Sequence, residues 1–231
     1  ILLYHSPDAR LMVDLQAGFG GDGAWGIFLH PLLAAIFFTA VLAECNRAPF
    51  DLAEAEQELV GGFHTEYSSM KWALFFLGEY MHMITGSAFF IILFLGGWDL
   101  IPFVGEIPIV AEGLWGGIAL VALKTVIFAG KVALCLFAMM WIRWTLPRLR
   151  FDQLMKLAWV GVIPLTIVML LVVGVLVYLD APLWAYPVAN VAVAVAAALV
   201  APMLPKGPPV NRRVPLRGSR FSPLPSEAET A

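Results

Sequence analysis

Apolar residues dominate four stretches of this chain, at 25–43, 72–95, 114–142 and 157–179. Each is long enough, or nearly so, to cross a bilayer, for which about 20 residues suffice. A fifth run, 183–204, is rich in Ala and Val and holds Pro187 and Pro202, so it is the weaker candidate for a span. The pattern predicts an all-α integral membrane protein with four to five transmembrane helices. Between the first two runs the pattern breaks into a polar, acidic segment, and there a short amphipathic helix is predicted over 52–60. Asp51 followed by Glu54 reads as an N-cap with a capping box. Gly61 and Gly62 supply the stop.

Composition agrees: 61% of residues are hydrophobic and 13% charged, where a soluble domain averages about 25% charged. The chain opens on a short apolar stub at 1–4 that reads as the end of a longer hydrophobic run. No basic n-region or cleavage site marks it as a signal peptide. Residues 1–204 are expected to form the membrane domain, and the Pro- and Arg-rich 205–231 a mostly disordered tail.

Basic residues sort by side. Arg47 and Lys71 lie between the first and second runs, and Arg143, Arg148, Arg150 and Lys156 between the third and fourth. The alternate segments are nearly free of them, apart from Arg10. The positive-inside rule puts the acidic and Arg-rich segments together on the cytoplasmic face.

The acidic segment carries the candidate chemistry. Glu44, Asp51, Glu54, Glu56, Glu58 and Glu66 crowd around one cation, Arg47. Carboxylates beside hydrocarbon and anionic lipid are costly, so they suggest proton handling or guidance of a ligand. A solvated helix face accounts equally well for Glu54, Glu56 and Glu58, and a structural counter-ion for Arg47. Within the second run Glu79 lies about 10 Å deep and shares a face with His82, one turn after Phe75 and Phe76. Lys124 and Lys131 share a face of the third run. Lys131 lies about 16 Å in from the same side, at a depth that makes it a candidate partner for Glu79. Intramembrane charges are functional candidates, with a structural ion pair as the alternative.

Cys45 and Cys135 are too few for an iron–sulfur cluster, and they have no metal-ligand spacing. No nucleotide fingerprint is present. No redox-active or metal-binding residue is therefore predicted; if redox chemistry is involved, the electrons come from a partner.

Two blocks then carry a resemblance. ECNRAPFDLAEAEQELVGGFHTEYSSMKWALFFLGEY at 44–80 and WIRWTLPRLRFDQLMKLAW at 141–159 closely resemble the quinone-chamber membrane subunit family of respiratory complex I. This is the H-type membrane component of bacterial NADH–quinone oxidoreductase, with its mitochondrial NADH dehydrogenase counterparts. The resemblance covers about 26–178 and implies the C-terminal part of a longer chain.

It implies a quinone-tunnel and coupling role in a proton-translocating enzyme, with Glu44, Asp51, Glu54, Glu56, Glu58, Glu66, Glu79 and Lys131 in proton coupling. It implies quinone contacts at Arg47, Phe50, Asp51, Phe63 and Phe76, and docking or structural roles for Arg143, Arg148, Arg150 and Asp152. Quinone is the implied substrate. Flavin and iron–sulfur clusters would sit on soluble partner subunits, and small membrane subunits would lead on to antiporter-like ones. The cell inner membrane is the implied location, and no nucleic acid is implied. Cys45, Gly78, Phe151 and His82 depart mildly from the family pattern, and Lys124 has no usual counterpart. A membrane subunit of an energy-converting hydrogenase and a stand-alone ion transporter remain the alternatives. The lack of internal repeats weakens the transporter reading.

Overall fold

In the computed structural model, residues 6–17, 24–47, 49–51, 67, 69–100 and 113–203 are described. The described residues form helices and turns. They comprise α1 (Ala9–Gln16), α2 (Gly26–Leu29), α3 (Pro31–Glu44), α4 (Met70–Phe94), α5 (Gly113–Thr145) and α6 (Phe151–Lys156). A π-helical turn (Leu157–Val162), α7 (Ile163–Tyr178), α8 (Ala185–Val200) and a 3₁₀ turn (Ala201–Met203) follow. The predicted amphipathic helix, with Glu54, Glu56, Glu58, Gly61, Gly62, Phe63 and Glu66, lies outside the described residues, as does the tail from 204.

Three helices are long and apolar enough to cross a membrane: Met70–Phe94, Trp115–Thr145 and Phe151–Tyr178. The first predicted span is corrected. It is two short helices, broken at His30, whose backbone sits at φ −131°, ψ 62°. Pro31 is the cause. A proline pushes the preceding residue out of the α region, then serves well as the first residue of the next helix. The predicted fifth span is also shorter than expected, the 16 residues of α8. Pro187 fits in its first turn, where its missing N–H costs nothing.

The fourth span begins earlier than the apolar pattern indicates, at Phe151. Gln153 Oε1 accepts the Arg150 backbone N–H at 3.1 Å there, and Asp152 stands in the first turn, where the helix dipole favours an anion. The π turn then carries the helix past Pro164.

Contacts divide the chain into two units, Ile1–Ala196 and Ala197–Ala231. In the first, one core joins α3, α4 and α5 through Ala34, Val41, Leu42, Met83, Phe90, Ile91, Cys135 and Met139. A second joins Met169, Val173 and Tyr186 with Leu32 and Leu33 of α3. Between apolar helices in lipid, close packing replaces the hydrophobic drive, so small residues sit at contacts. Gly86 is one: a Cβ there would meet Val41 Cγ1 at 2.6 Å. In the second unit, the described residues are the end of α8 and the 3₁₀ turn.

Buried polar side chains stitch the helix breaks. Gln16, fully buried, donates to the Ile92 carbonyl at 2.9 Å and accepts from the Gly26 and Gly96 N–H groups at 3.2 Å each. Asn190 donates to the Leu29 carbonyl at 3.3 Å and lies 3.0 Å from His30 Nδ1. It thereby covers the break that Pro31 opens.

Candidate functional site

The site is built where α3 ends. Asn46 takes the left-handed conformation, φ 48°. Arg47 N–H then reaches the Leu42 carbonyl and Asn46 N–H the Ala43 carbonyl, both at 3.3 Å. This is a Schellman ending, and Asn tolerates the left-handed position better than most residues. It turns the chain so that Arg47 faces α4.

There Arg47 Nε lies 2.6 Å from Glu79 Oε1. Their side chains are 13% and 11% exposed, so the pair is largely withdrawn from solvent. The guanidinium also sits 5.0 Å from the centre of the Tyr80 ring, a cation–π contact. Glu44, the last residue of α3, lies one turn before Arg47. Its Oε1 is 3.4 Å from His82 Nε2, and these side chains are 68% and 44% exposed. Two residues three apart on each segment thus form two cross-pairs, one buried and one open. Removing one partner of a buried pair costs about 3–5 kcal/mol, whereas exposed pairs contribute about 1 kcal/mol or less.

The second block joins this corner. Arg148 Nη2 lies 2.7 Å from Asp51 Oδ2, with side chains 34% and 18% exposed. Leu149 N–H donates to the Pro49 carbonyl at 3.0 Å. Phe50 is buried in the α3–α4–α5 core. Phe76 stacks on Trp72 and meets Tyr80 edge-on, with ring centres 5.2 and 4.8 Å away. An aromatic row therefore leads along α4 to the Arg47–Glu79 pair. Arg143 stands in the last turn of α5. Cys45, which caps α3, is 2% exposed; burial first, then the Glu44 and Glu79 carboxylates, push its thiol up to about 11.

One expectation is corrected here. Lys131 is not beside Glu79; its ammonium binds the Leu95, Gly97 and Asp99 carbonyls at the far end of α4. Glu79 and Leu95 are sixteen residues apart, about 24 Å along the helix. Depth counted from the end of a 33-residue helix misled, because α5 extends well past the end of α4. Sequence reasoning also missed Tyr80, Gln16, Asp99 and Asn190. The matching three-residue spacings of Glu44 with Arg47 and of Glu79 with His82 were the available signal for the cross-pairs.

The sequence model of one family, described as NADH dehydrogenase, matches residues 1–174. The H subunit of NADH-quinone oxidoreductase from Rhodospirillum centenum is 49% identical over 158 residues, covering 66% of this chain and 43% of the relative. An H subunit of the same enzyme from Geobacter sulfurreducens is 47% identical over 159 residues, covering 69% and 40%. The H subunit from Salinibacter ruber is 38% identical over 180 residues, covering 77% and 52%. The chain spans about half or less of the length of these relatives. Three helices able to cross a membrane, the two sequence blocks meeting at one corner, and these matches agree: the chain belongs to the NADH dehydrogenase family, whose matched relatives are H subunits of NADH-quinone oxidoreductase.

Proposed function

We propose that this chain is the quinone-tunnel and coupling part of a proton-translocating NADH–quinone oxidoreductase. The observation that carries the reading is the Arg47–Glu79 pair, buried at the end of an aromatic row and beside the Asp51–Arg148 bridge. Quinone is the substrate. Its reduction takes two electrons from an iron–sulfur cluster of a soluble partner and two protons, giving quinol. This chain holds no redox group in that scheme; it binds, orients and responds to charge.

Negative charge gained by the quinone competes with Glu79 for Arg47. Nearby carboxylates then favour their protonated forms, the like-charge effect. Glu44 and Asp51 stand next in line, in contact with His82 and Arg148 respectively, and a shift at Arg47 would disturb both contacts. Phe76, with Phe63, supplies the apolar contacts of the quinone tail, and Phe50, packed in the core, backs that wall from behind. Glu54, Glu56, Glu58 and Glu66 belong to the same proton-coupling set in this reading. Arg143, Arg150 and Asp152 belong to the docking face for the soluble arm, which carries flavin and iron–sulfur clusters. The acidic segment faces the cytoplasm in this reading, and small membrane subunits lie on the path to the antiporter-like ones.

The test is Arg47→Ala in the assembled complex. Quinone reduction should fall far more than reduction of an artificial acceptor by the soluble arm, since the acceptor takes electrons upstream. Equal loss of both activities would make Arg47 an assembly residue. No loss of either would remove the pair from the mechanism.

A further inference from the structure

The chain just after α4 curls through two left-handed glycines, Gly96 (φ 64°) and Gly97 (φ 53°). Three alternate carbonyls, those of Leu95, Gly97 and Asp99, converge there on a single point. At that point sits the Lys131 ammonium, 2.6 Å from the Leu95 oxygen, 3.1 Å from the Gly97 oxygen and in close contact with the Asp99 oxygen. The Trp25 ring lies over the same nitrogen, 4.3 Å from its centre. The Asp99 carboxylate is 95% withdrawn from solvent and near enough to attract the ammonium. A lysine has three N–H donors, and here all three are engaged.

The geometry points to a built cation site at the end of α4, specific for a primary ammonium and filled by the chain's own Lys131. Every element of it suits a cation: three carbonyl oxygens and one aromatic face as contacts, with the Asp99 carboxylate adding attraction. None of these depends on the lysine stem. Both glycines are closely packed against residues other than Lys131: a Cβ at Gly97 would meet Val13 Cγ2 at 2.7 Å and one at Gly96 would strike the Trp25 ring. On this reading the cage should persist when its occupant is removed. Lys131 is in this sense a tethered ligand, and a positioning residue: it ties α5 to the end of α4 and to Trp25 ahead of α2. Its protons are committed to carbonyls, so its contribution is a fixed charge in a fixed place. This inference is independent of the quinone reading.

Lys131→Ala should leave a vacancy that accepts methylammonium from solution. The measurement is the thermal midpoint of the full-length protein, purified in detergent with its partner subunits, so that no proton gradient is present for the amine to collapse. Lys131→Ala is expected to lower the midpoint by several degrees. Methylammonium chloride should restore it saturably, as a ligand that binds only the folded state does. Tetramethylammonium chloride at the same ionic strength has no N–H donors and should do nothing, and the unmodified protein should not respond to either salt. Lys131→Arg should behave worse than Lys131→Ala with methylammonium. Guanidinium donors diverge in a plane and cannot meet three oxygens that converge on one nitrogen. No response to methylammonium, an equal response to tetramethylammonium, or full function of Lys131→Arg would each overturn the site. Should Lys131→Ala fail to accumulate, the unmodified protein decides the matter. Under native acetylation Lys131 should stay unmodified while exposed Lys71 reacts, and comparable labelling of the two would refute the engaged ammonium.

Discussion

Arg148 reaches across 97 residues of chain to bind Asp51, Nη2 to Oδ2 at 2.7 Å. The turn after α3 and the link between α5 and α6 therefore occupy the same end of the helices, as the distribution of basic residues predicted.

That contact makes topology testable. Single cysteines placed near Glu56 and near Arg148 should react with an impermeant thiol reagent from one face of the membrane, the cytoplasmic one. A cysteine near Glu106 should react only from the other. Labelling of the first two sites from opposite faces would break the arrangement at its best-supported point.

The two ion pairs should differ in strength. A double-mutant cycle of Arg47→Ala with Glu79→Ala should give a coupling of about 3 kcal/mol, because each charge is buried and its partner's loss strands it. The same cycle on Arg148 and Asp51, more open to solvent, should give about 1 kcal/mol. Assembly midpoints or denaturant titrations of the purified protein read both. Equal couplings would mean that burial does not set the strength here.

Glu79→Gln separates charge from shape. The amide keeps the size of the carboxylate beside Arg47, so assembly should survive, but no titratable proton remains. Quinone-linked turnover should drop about tenfold or more if proton transfer through this residue limits the rate, equivalent to at least ~1.4 kcal/mol in the barrier. Full assembly with unchanged turnover and pumping would remove Glu79 from the coupling row. Failure to assemble would assign it to helix packing.

Cys45 offers a pH dependence of defined sign. Its thiol ionises near 11 in the folded protein against an ordinary 9. The folded state thus holds this proton more tightly than the unfolded one, and Cys45 lends stability at low pH that is lost as pH rises from 9 through about 11. Maleimide, which needs the thiolate, should leave Cys45 unmodified at pH 7–8 in the native protein and modify it readily after denaturation. Fast labelling of native Cys45 at neutral pH would show that the corner opens.

Most of the helical plan was legible in the chain, because long apolar runs leave few alternatives. The breaks were less so. Pro31 was visible, yet hydropathy averages over it, and a window of apolar residues hides one missing N–H. The extension of the last long helix back to Phe151 was masked for the opposite reason: a polar first turn is helical through its cap, not through its hydropathy. At the site, sequence identified Arg47, Asp51, Glu79 and Arg148 but not who meets whom. The partner of Glu79 depends on the left-handed turn at Asn46, and the partner of Lys131 on how far α5 overshoots α4. Both are matters of register between helices, which depth counted along one helix does not contain.

The π turn at Leu157–Val162 has a consequence for the phase of the helix. Its Ile163 N–H bonds back to the Ala158 carbonyl, five residues away, so this turn carries one residue more than a regular one. In a regular helix the Pro164 ring would press on the Val160 carbonyl. Removing any one residue from 157–162 would restore the regular winding and rotate α7 by about 100° against α6. Yet both ends are anchored: Leu149 is bonded to Pro49, while Met169 and Val173 are packed with Leu32, Leu33 and Tyr186. A one-residue deletion there would satisfy one anchor only, whereas the same deletion in the exposed end of α8 would cost little. The surplus residue sets the angular phase between a pinned loop and a pinned helix.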